Sequence, residues 1–517
     1  MKKTVSLLLC VLLLSGCGST VPAAIAPDFN QAENPSAADH ISRFDTITEI
    51  ILADNGVTID DNTKTDVVFT SNDIIYYENR DTYASGNPYG EGSDSDKHTA
   101  EEAAAHTVVN ITAPGAYRVR GKLSAGQIRV DLGEDACDDP DAVVELILDN
   151  ADITCTVAPA ILFLNTYECN GLWTVDTAKA DVDTSAAGAN LVLEGNNTVN
   201  GSYVAKIFKD KDGEKKLWKQ DGAIYSYMSM NVFGPGSLEL NAANEGLDTE
   251  LHLTINGGNI TINSSNDGIN TNEDGVSVTT INGGNLTTFA GLGEEGDGID
   301  SNGYLVINGG NVIACAKPIS DAGLDSDMGS FIHGGTVIAM GSAMDWAESN
   351  SGQVTMNLQF SDQQNAGAEI RITTEGGREI FHFIPTGGTF RGFSGLILSD
   401  PAMKQGDTYQ VFIDGVQMAY TGTDVMRGPI GFGGPPMDFD PTNLPENFIP
   451  SQMDGHIPRP EDEHTPPPEG FDGKFPEGKK PPQMPIENHG NVPAGESHTD
   501  FYMNDMVNFF SGVAAVQ

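Results

Sequence analysis

The chain has 517 residues, with 27 Lys+Arg against 73 Asp+Glu, a formal net charge of -46 and a pI near 4.2. That balance argues against nucleic acid and bare anionic lipid as partners and favours cations. With 59 Gly and 39% apolar residues, the composition is that of a turn-rich β protein with a core rather than of a disordered chain.

The first residues, "MKKTVSLLLCVLLLSGCGST", carry two lysines, an apolar run from Val5 to Leu14, and then Leu14-Ser15-Gly16-Cys17. This order over residues 1–17 is the plan of an export signal, and the run is too short to span a bilayer. "LSGC" resembles a bacterial lipobox, which implies cleavage before Cys17 and lipid on its sulfur; a plain secretory signal is the alternative. Several acyl chains would anchor the protein to the outer side of the bacterial cell membrane far more firmly than one, at the cell surface. Residues 18–45 are small, polar and Pro-containing, as a tether would be. Cys137, Cys155, Cys169 and Cys315 match no zinc spacing, and outside the cell a disulfide is open to them. Cys155 with Cys169 is the pair to test, against buried free thiols.

From residue 46 to 352 the chain reads as short strands bounded by Gly, Asn and Asp, with one short helical candidate in "SDKHTAEEAAAH". A phrase then recurs: "INGGNITINSSNDGIN" from 255, "INGGNLTTFAGLGEEGDGID" from 281, "INGGNVIACAKPISDAGLD" from 307 and "IHGGTVIAM" from 332. Its opening residues Ile255, Ile281, Ile307 and Ile332 recur at a period that leaves room for three short strands and their turns but no helix, which predicts a stacked parallel β-helix. A leucine-rich repeat would want Leu at fixed offsets instead. The isoleucines should line up in the core, with each Gly-Gly pair marking one turn. Residues 353–427 read as a small antiparallel β domain with hairpins at "EGGREI" and "DGVQM", packed on the end of the solenoid. Residues 428–497 are Pro/Gly-rich and read as disordered, and 498–517 as a C-terminal strand returning to the body.

Each coil carries a second phrase: Glu245-Gly246-Leu247-Asp248, Asp267-Gly268-Ile269-Asn270, Asp297-Gly298-Ile299-Asp300 and Ala322-Gly323-Leu324-Asp325. Asp221-Gly222-Ala223-Ile224 is a looser version. If the apolar residues stack inside, the acids stack outside in coils roughly 4.8 Å apart. Two carboxylates at that distance repel by about 3.5 kcal/mol at an effective dielectric near 20. They must splay into water, take up protons or share a cation. An all-oxygen ladder suits Ca²⁺ and not zinc; plain turn formation is the alternative use of Asp-Gly. The candidate metal ligands are Asp267, Asp297 and Asp300, then Asp248, Asn270 and Asp325, with Asp321 and Asp327 open to a second ion.

The runs "GAYRVRGKLSAGQIRVD", "VVELILDNADITC", "GAIYSYMSMNVFGPGSLELN", the Asp-Gly-Ile and Ile-Asn-Gly-Gly coils and "LSDPAMKQGDTYQVF" together resemble the calcium-binding β-helix carbohydrate-binding family of clostridial surface proteins. The likeness covers residues 108 to 425 and the aromatic C-terminal strand. It implies an all-β, right-handed parallel β-helix similar in shape to pectate lyases, bound calcium, and affinity for acidic plant polysaccharide such as polygalacturonate, and for cellulose. This chain departs from the pattern at Ala322, where other coils have an acid, and at the insert "FAGLGEEG".

For the sugar itself, "KIFKDKDGEKKLWKQ" gathers Lys206, Lys209, Lys211, Lys215, Lys216 and Lys219 around Trp218. This segment is either a solvated hairpin tip or, with calcium, a holder of uronate carboxylates. Trp218 and Trp346 are candidate stacking rings or core residues. A lyase would need a base near calcium, and Lys317 is the candidate, against a counterion role. A non-catalytic polysaccharide binder is the leading expectation, as a monomer without nucleic acid. A calcium-dependent polysaccharide lyase and a structural surface spacer or adhesin are the alternatives.

Overall fold

A strand buries alternate side chains and leaves both backbone edges in need of partners. Here the next coil supplies them. In the computed structural model, which describes residues 40–60, 67–77, 96–211, 214–293, 296–318, 320–342, 345–385, 392–424 and 496–516, three parallel ladders run along the repeat. The first passes through Ala189–Glu194, Met230–Phe233, Leu253–Ile255, Val278–Ile281, Tyr304–Ile307 and Ser330–Ile332. The second passes through Asn196–Gly201, Ser237–Ala242, Asn259–Ser264, Asn285–Phe289, Asn311–Cys315 and Thr336–Gly341. The third joins Thr107–Ile111, Gly126–Asp131, Ile161–Asn165, Gly222–Ser226, Glu245–Thr249 and Ile269–Thr271. The chain is all-β apart from short helical pieces at Ala100–Ala104 and Glu134–Asp138 among the described residues. The first of these is closed by a Thr99/Glu102 capping box.

The register aligns Ile255 with Ile281, Ile307 and Ile332, all buried in the main core. After each isoleucine the chain turns through a Gly-Gly pair whose second member has positive φ, 100° at Gly258, 85° at Gly284 and 83° at both Gly310 and Gly335. A side chain there would be strained, so the glycine holds the turn open. No described helix is long and apolar enough to cross a membrane.

The outward positions of the second ladder explain how the chain continues beyond the repeat. Thr261 and Thr287 face outward in the middle coils, but the same position becomes Ile313 and then Ile338, and Asn263 gives way to Phe289, Cys315 and Met340. Those apolar groups join a second core with Phe393, Leu396, Tyr409, Tyr420, Phe501 and Phe510. The antiparallel strands after the repeat therefore do two things. Phe393–Ser399 pairs antiparallel with Thr336–Gly341 at the end of the second ladder, and its neighbours cover the outer face of the last two coils. Val507–Ala515 pairs parallel with Thr355–Gln364. Segment 1–17 with Cys17, most of the tether and nearly all of the Pro/Gly-rich stretch lie outside the described residues.

Candidate functional site

The acidic phrases meet at the third ladder. Leu247 aligns with Ile269, and Ile299 with Leu324, so the apolar residues stack inward. The glycines between acid and apolar residue bring the coils together. A Cβ on Gly246 would run into the carbonyl oxygen of Gly268, one on Gly268 into that of Gly298, and one on Gly298 into that of Gly323. Gly268→Ala is therefore expected to cost about 1–3 kcal/mol, read as a lowered midpoint in denaturant unfolding; an unchanged midpoint would mean the coils have room to spread.

Two groups of ligand-type side chains result. In the first, Asp221, Glu245 and Asp248 hold carboxylate oxygens within 4.8 Å of one another, all three side chains being buried. Asn270 and Asn266 donate to the two oxygens of Glu245 at 3.4 Å, and Asn272 donates to Asp248 Oδ1 at 2.8 Å. Asp248 Oδ2 and Asn270 Oδ1 are buried with no hydrogen-bond partner. Lys219 Nζ stands 2.8 Å from Asp221 Oδ2. In the second group, Asp267 Oδ1 accepts from the Asp297 backbone N–H at 2.7 Å, and Asp297 Oδ1 accepts from that of Ala322. Asp300 and Asp325 stand in the same field.

Burial dominates the electrostatics. It pushes Glu245 and Asp248 well above the usual carboxylate range; the charges of Asp221 and Asp267 add to it at Glu245, where the Asp248 side chain and Lys219 oppose it, and the charges of Glu245 and Asp221 add to it at Asp248. Asp297 and Asp300 rise likewise, first through burial and then through the neighbouring Asp325 and Asp267. Burial lifts Asp267 to about 7 against the opposing Asp297 N–H, lifts Glu250 to about 7 against the Tyr225 hydroxyl that donates to it, and lifts Asp327 to about 6. Asp325 is raised by burial and eased by Asp345.

The expected stacking of acids on the outside needs a correction: Asp248 and Glu245 are buried, so splaying into water is closed to them. Sequence reasoning did not single out Asp221, Glu245 or Asp345. The first two follow from the echo Asp221-Gly222 and Glu245-Gly246, the first of which comes directly after the Lys-rich insertion. That insertion forms an antiparallel hairpin, Val204–Lys211 with Glu214–Gln220. The side chains of Lys206, Lys209, Lys211, Lys215, Lys216 and Trp218 lie outside the described residues. Trp346 is a core residue at 5% exposure and offers no stacking face, because the Ser330–Ala347 bridge draws its segment onto the stack. Cys155 and Cys169 are both free thiols; Cys155 is buried in the main core, while Cys169 is half-buried with its Sγ 3.8 Å from Asp183 O. Lys317 makes no ion pair among the described residues.

Residues 105–378, more than half of the chain, match the family described as carbohydrate-binding domain-containing protein. The chain belongs to that family. A curated relative of the same description from Acetivibrio thermocellus is 30% identical over 172 residues, 32% of this chain and 50% of the relative; the chain thus spans about half the length of the relative it matches. A polysaccharide lyase-like protein from C. thermocellum, solved as a gadolinium derivative, is 20% identical with a TM-score of 0.31 over 59% of this chain and 92% of its own. The multi-modular cell-surface chitinase ChiW from Paenibacillus sp. is 12% identical with a TM-score of 0.12, over 59% of this chain and 22% of its own. At these TM-scores neither likeness carries an argument about function.

Chemically, the first group suits a hard cation. Its donors are carboxylate and amide oxygens with no thiolate or imidazole, as Ca²⁺ prefers and zinc does not. Two buried oxygens without partners are costly unless something binds them.

Proposed function

We propose that this carbohydrate-binding protein is a calcium-stabilised lipoprotein of the bacterial cell surface. Its body is a right-handed parallel β-helix over residues 46–352, closed by the antiparallel unit 353–427 and the C-terminal strand 498–517. Asp221, Glu245, Asp248 and Asn270 would hold one Ca²⁺, and Asp267, Asp297, Asp300 and Asp325 would hold further calcium. A bound ion neutralises a buried acidic corner and gives the stack rigidity. It binds polysaccharide without cleaving it, either acidic plant polysaccharide such as polygalacturonate or cellulose, with calcium and the Lys206–Lys216 hairpin meeting uronate carboxylates in the acidic case.

The observation that carries this reading is the pair of unpartnered buried oxygens, Asp248 Oδ2 and Asn270 Oδ1, among three converging carboxylates. The test is calorimetric titration of the full chain with polygalacturonate oligomers before and after calcium removal, with ultraviolet absorbance followed for unsaturated products. Calcium-dependent binding without rising absorbance is expected, weakened about tenfold when Lys206, Lys209 and Lys211 are changed to Glu. Rising absorbance would make the protein a lyase. Absence of binding to both polygalacturonate and cellulose would leave a surface spacer.

A further inference from the structure

Glycan recognition by stacking needs aromatic faces at the surface, and neither tryptophan weighed from the sequence supplies one among the described side chains. A different set of rings does. Tyr304, Phe331 and His333 sit on the first ladder, the first in Tyr304–Ile307 and the others at and just beyond Ser330–Ile332. Their side chains point outward because Leu305, Ile307 and Ile332 of the same strands point into the core. Tyr304 and Phe331 are half-buried and His333 is exposed. Successive ring centroids are 6.3 and 6.4 Å apart, with planes differing by 36° and 12°. The three rings thus form a continuous row on the outer face of the sheet, Tyr304 tilted against Phe331 and Phe331 nearly parallel to His333. Sugar rings pack on such faces through their C–H groups.

Beside the rings runs a row of amides. Asn308 Nδ2 donates to Asn282 Oδ1 and Asn282 Nδ2 to Asn256 Oδ1, each at 2.9 Å. The row ends at His333, whose backbone N–H donates to Ile307 O. A primary amide has two N–H groups and two acceptor lone pairs. The ladder uses at most one N–H and one lone pair of each, and Asn282 and Asn308 are exposed. What is left is a set of donors and acceptors at a fixed coil spacing, matched to hydroxyl groups. Charge decides between glycan classes. Glu348 is packed here, its Cγ and the Phe331 ring lying 2.9 and 3.1 Å from the point where a Cβ on Gly329 would stand. A carboxylate accepts from sugar hydroxyls but repels a uronate.

We infer that Tyr304, Phe331 and His333, with Asn282 and Asn308, form a stacking platform for a neutral glycan chain, distinct from the acidic corner. The inference rests on the carbohydrate-binding reading but not on calcium. The platform takes successive pyranose rings on its aromatic faces, while the amides receive their hydroxyls. It was hidden from the sequence because Tyr304 and Phe331 occupy non-equivalent positions of their repeats.

The experiment titrates cellohexaose and hexagalacturonate into the full chain and into Tyr304→Ala, Phe331→Ala and Phe331→Trp, with calcium-dependent melting as a check on folding. The expected result is at least about tenfold weaker cellohexaose binding in both alanine variants, and binding retained in Phe331→Trp, which keeps an aromatic face. Hexagalacturonate affinity and melting should not move. Equal cellohexaose affinity in wild type and alanine variants would overturn the platform and leave the carbohydrate-binding reading standing. Loss of hexagalacturonate in Phe331→Ala, with no cellohexaose binding in the wild type, would overturn the neutral class. A wild type that binds neither oligosaccharide would overturn both the platform and the polysaccharide reading beneath it.

Discussion

In chelator near neutral pH, Asp248→Asn raises the melting temperature of this protein, and in millimolar calcium the same substitution lowers it. The inversion follows from the first acidic group. Without calcium, three buried carboxylates converge within 4.8 Å with the Lys219 ammonium beside Asp221, and a full like-charge pair at that distance repels by about 3.5 kcal/mol at an effective dielectric near 20. Shared protons relieve part of this, so removing one charge is expected to gain about 1–2 kcal/mol. Asparagine also keeps an oxygen to accept from Asn272, as Asp248 Oδ1 does. With calcium the carboxylate becomes a ligand. An ion present at a hundred times its dissociation constant stabilises by about 2.7 kcal/mol, and losing one charged ligand forfeits most of that. Thermal unfolding followed by circular dichroism, with and without calcium, reads both signs. A substitution that destabilises equally in both conditions would make Asp248 a structural residue only.

Raising the pH from about 4 to about 8 in chelator is expected to destabilise the fold by several kcal/mol, the reverse of ordinary acid denaturation. Glu250 is carried from its ordinary 4.5 to about 7, Asp267 from 3.8 to about 7 and Asp327 from 3.8 to about 6, burial being the first cause of each. A folded value above the unfolded one means the native state keeps a proton the unfolded chain has released. The stability is therefore full below about pH 4 and is lost as pH rises through the folded values near 6 and 7. Glu250 alone corresponds to roughly 3 kcal/mol at 1.36 kcal/mol per tenfold change, and interaction among the acids keeps their effects from adding simply. His252 opposes them. Burial holds it down at about 3, so it adds stability as pH rises from about 3 to its unfolded value near 6.5. It is one group against several. Urea midpoints at pH 5 and pH 8 in chelator check the sign, and calcium should flatten the difference because its binding displaces the retained protons. A midpoint that rises with pH in chelator would show that these acids are not buried as described.

What could be read in advance was whatever the period repeats. Ile255, Ile281, Ile307 and Ile332 announce the stack because each does the same job one coil later, and the parallel register follows from that. Asp267, Asp297 and Asp300 were visible for the same reason. Features that depend on register between unlike residues were not. Asp221 reaches Glu245 and Asp248 although its phrase is offset by one residue from theirs, Gly222 and not Asp221 aligning with Glu245. Ile313 and Ile338 look like ordinary strand residues until the ladder shows them facing outward, at the position that Thr261 and Thr287 hold in the preceding coils. Trp346 reads from its own sequence as either a stacking ring or a core residue, and the coil position after the last repeat, still part of the stack, buries it. The burial of Asp248 is also invisible from its own phrase, since it is set by packing across neighbouring coils.

The central claim is that the acidic corner takes up calcium, and the most direct measurement is calorimetric titration of Ca²⁺ into the metal-free full chain, beside the variant carrying both Glu245→Gln and Asp248→Asn. Saturable binding with proton release, losing at least one site in the double variant, is the expected result. Absence of binding heat in both chains, with the wild-type midpoint unmoved by calcium, would contradict it and leave Asp221, Glu245 and Asp248 as a cluster held together by shared protons.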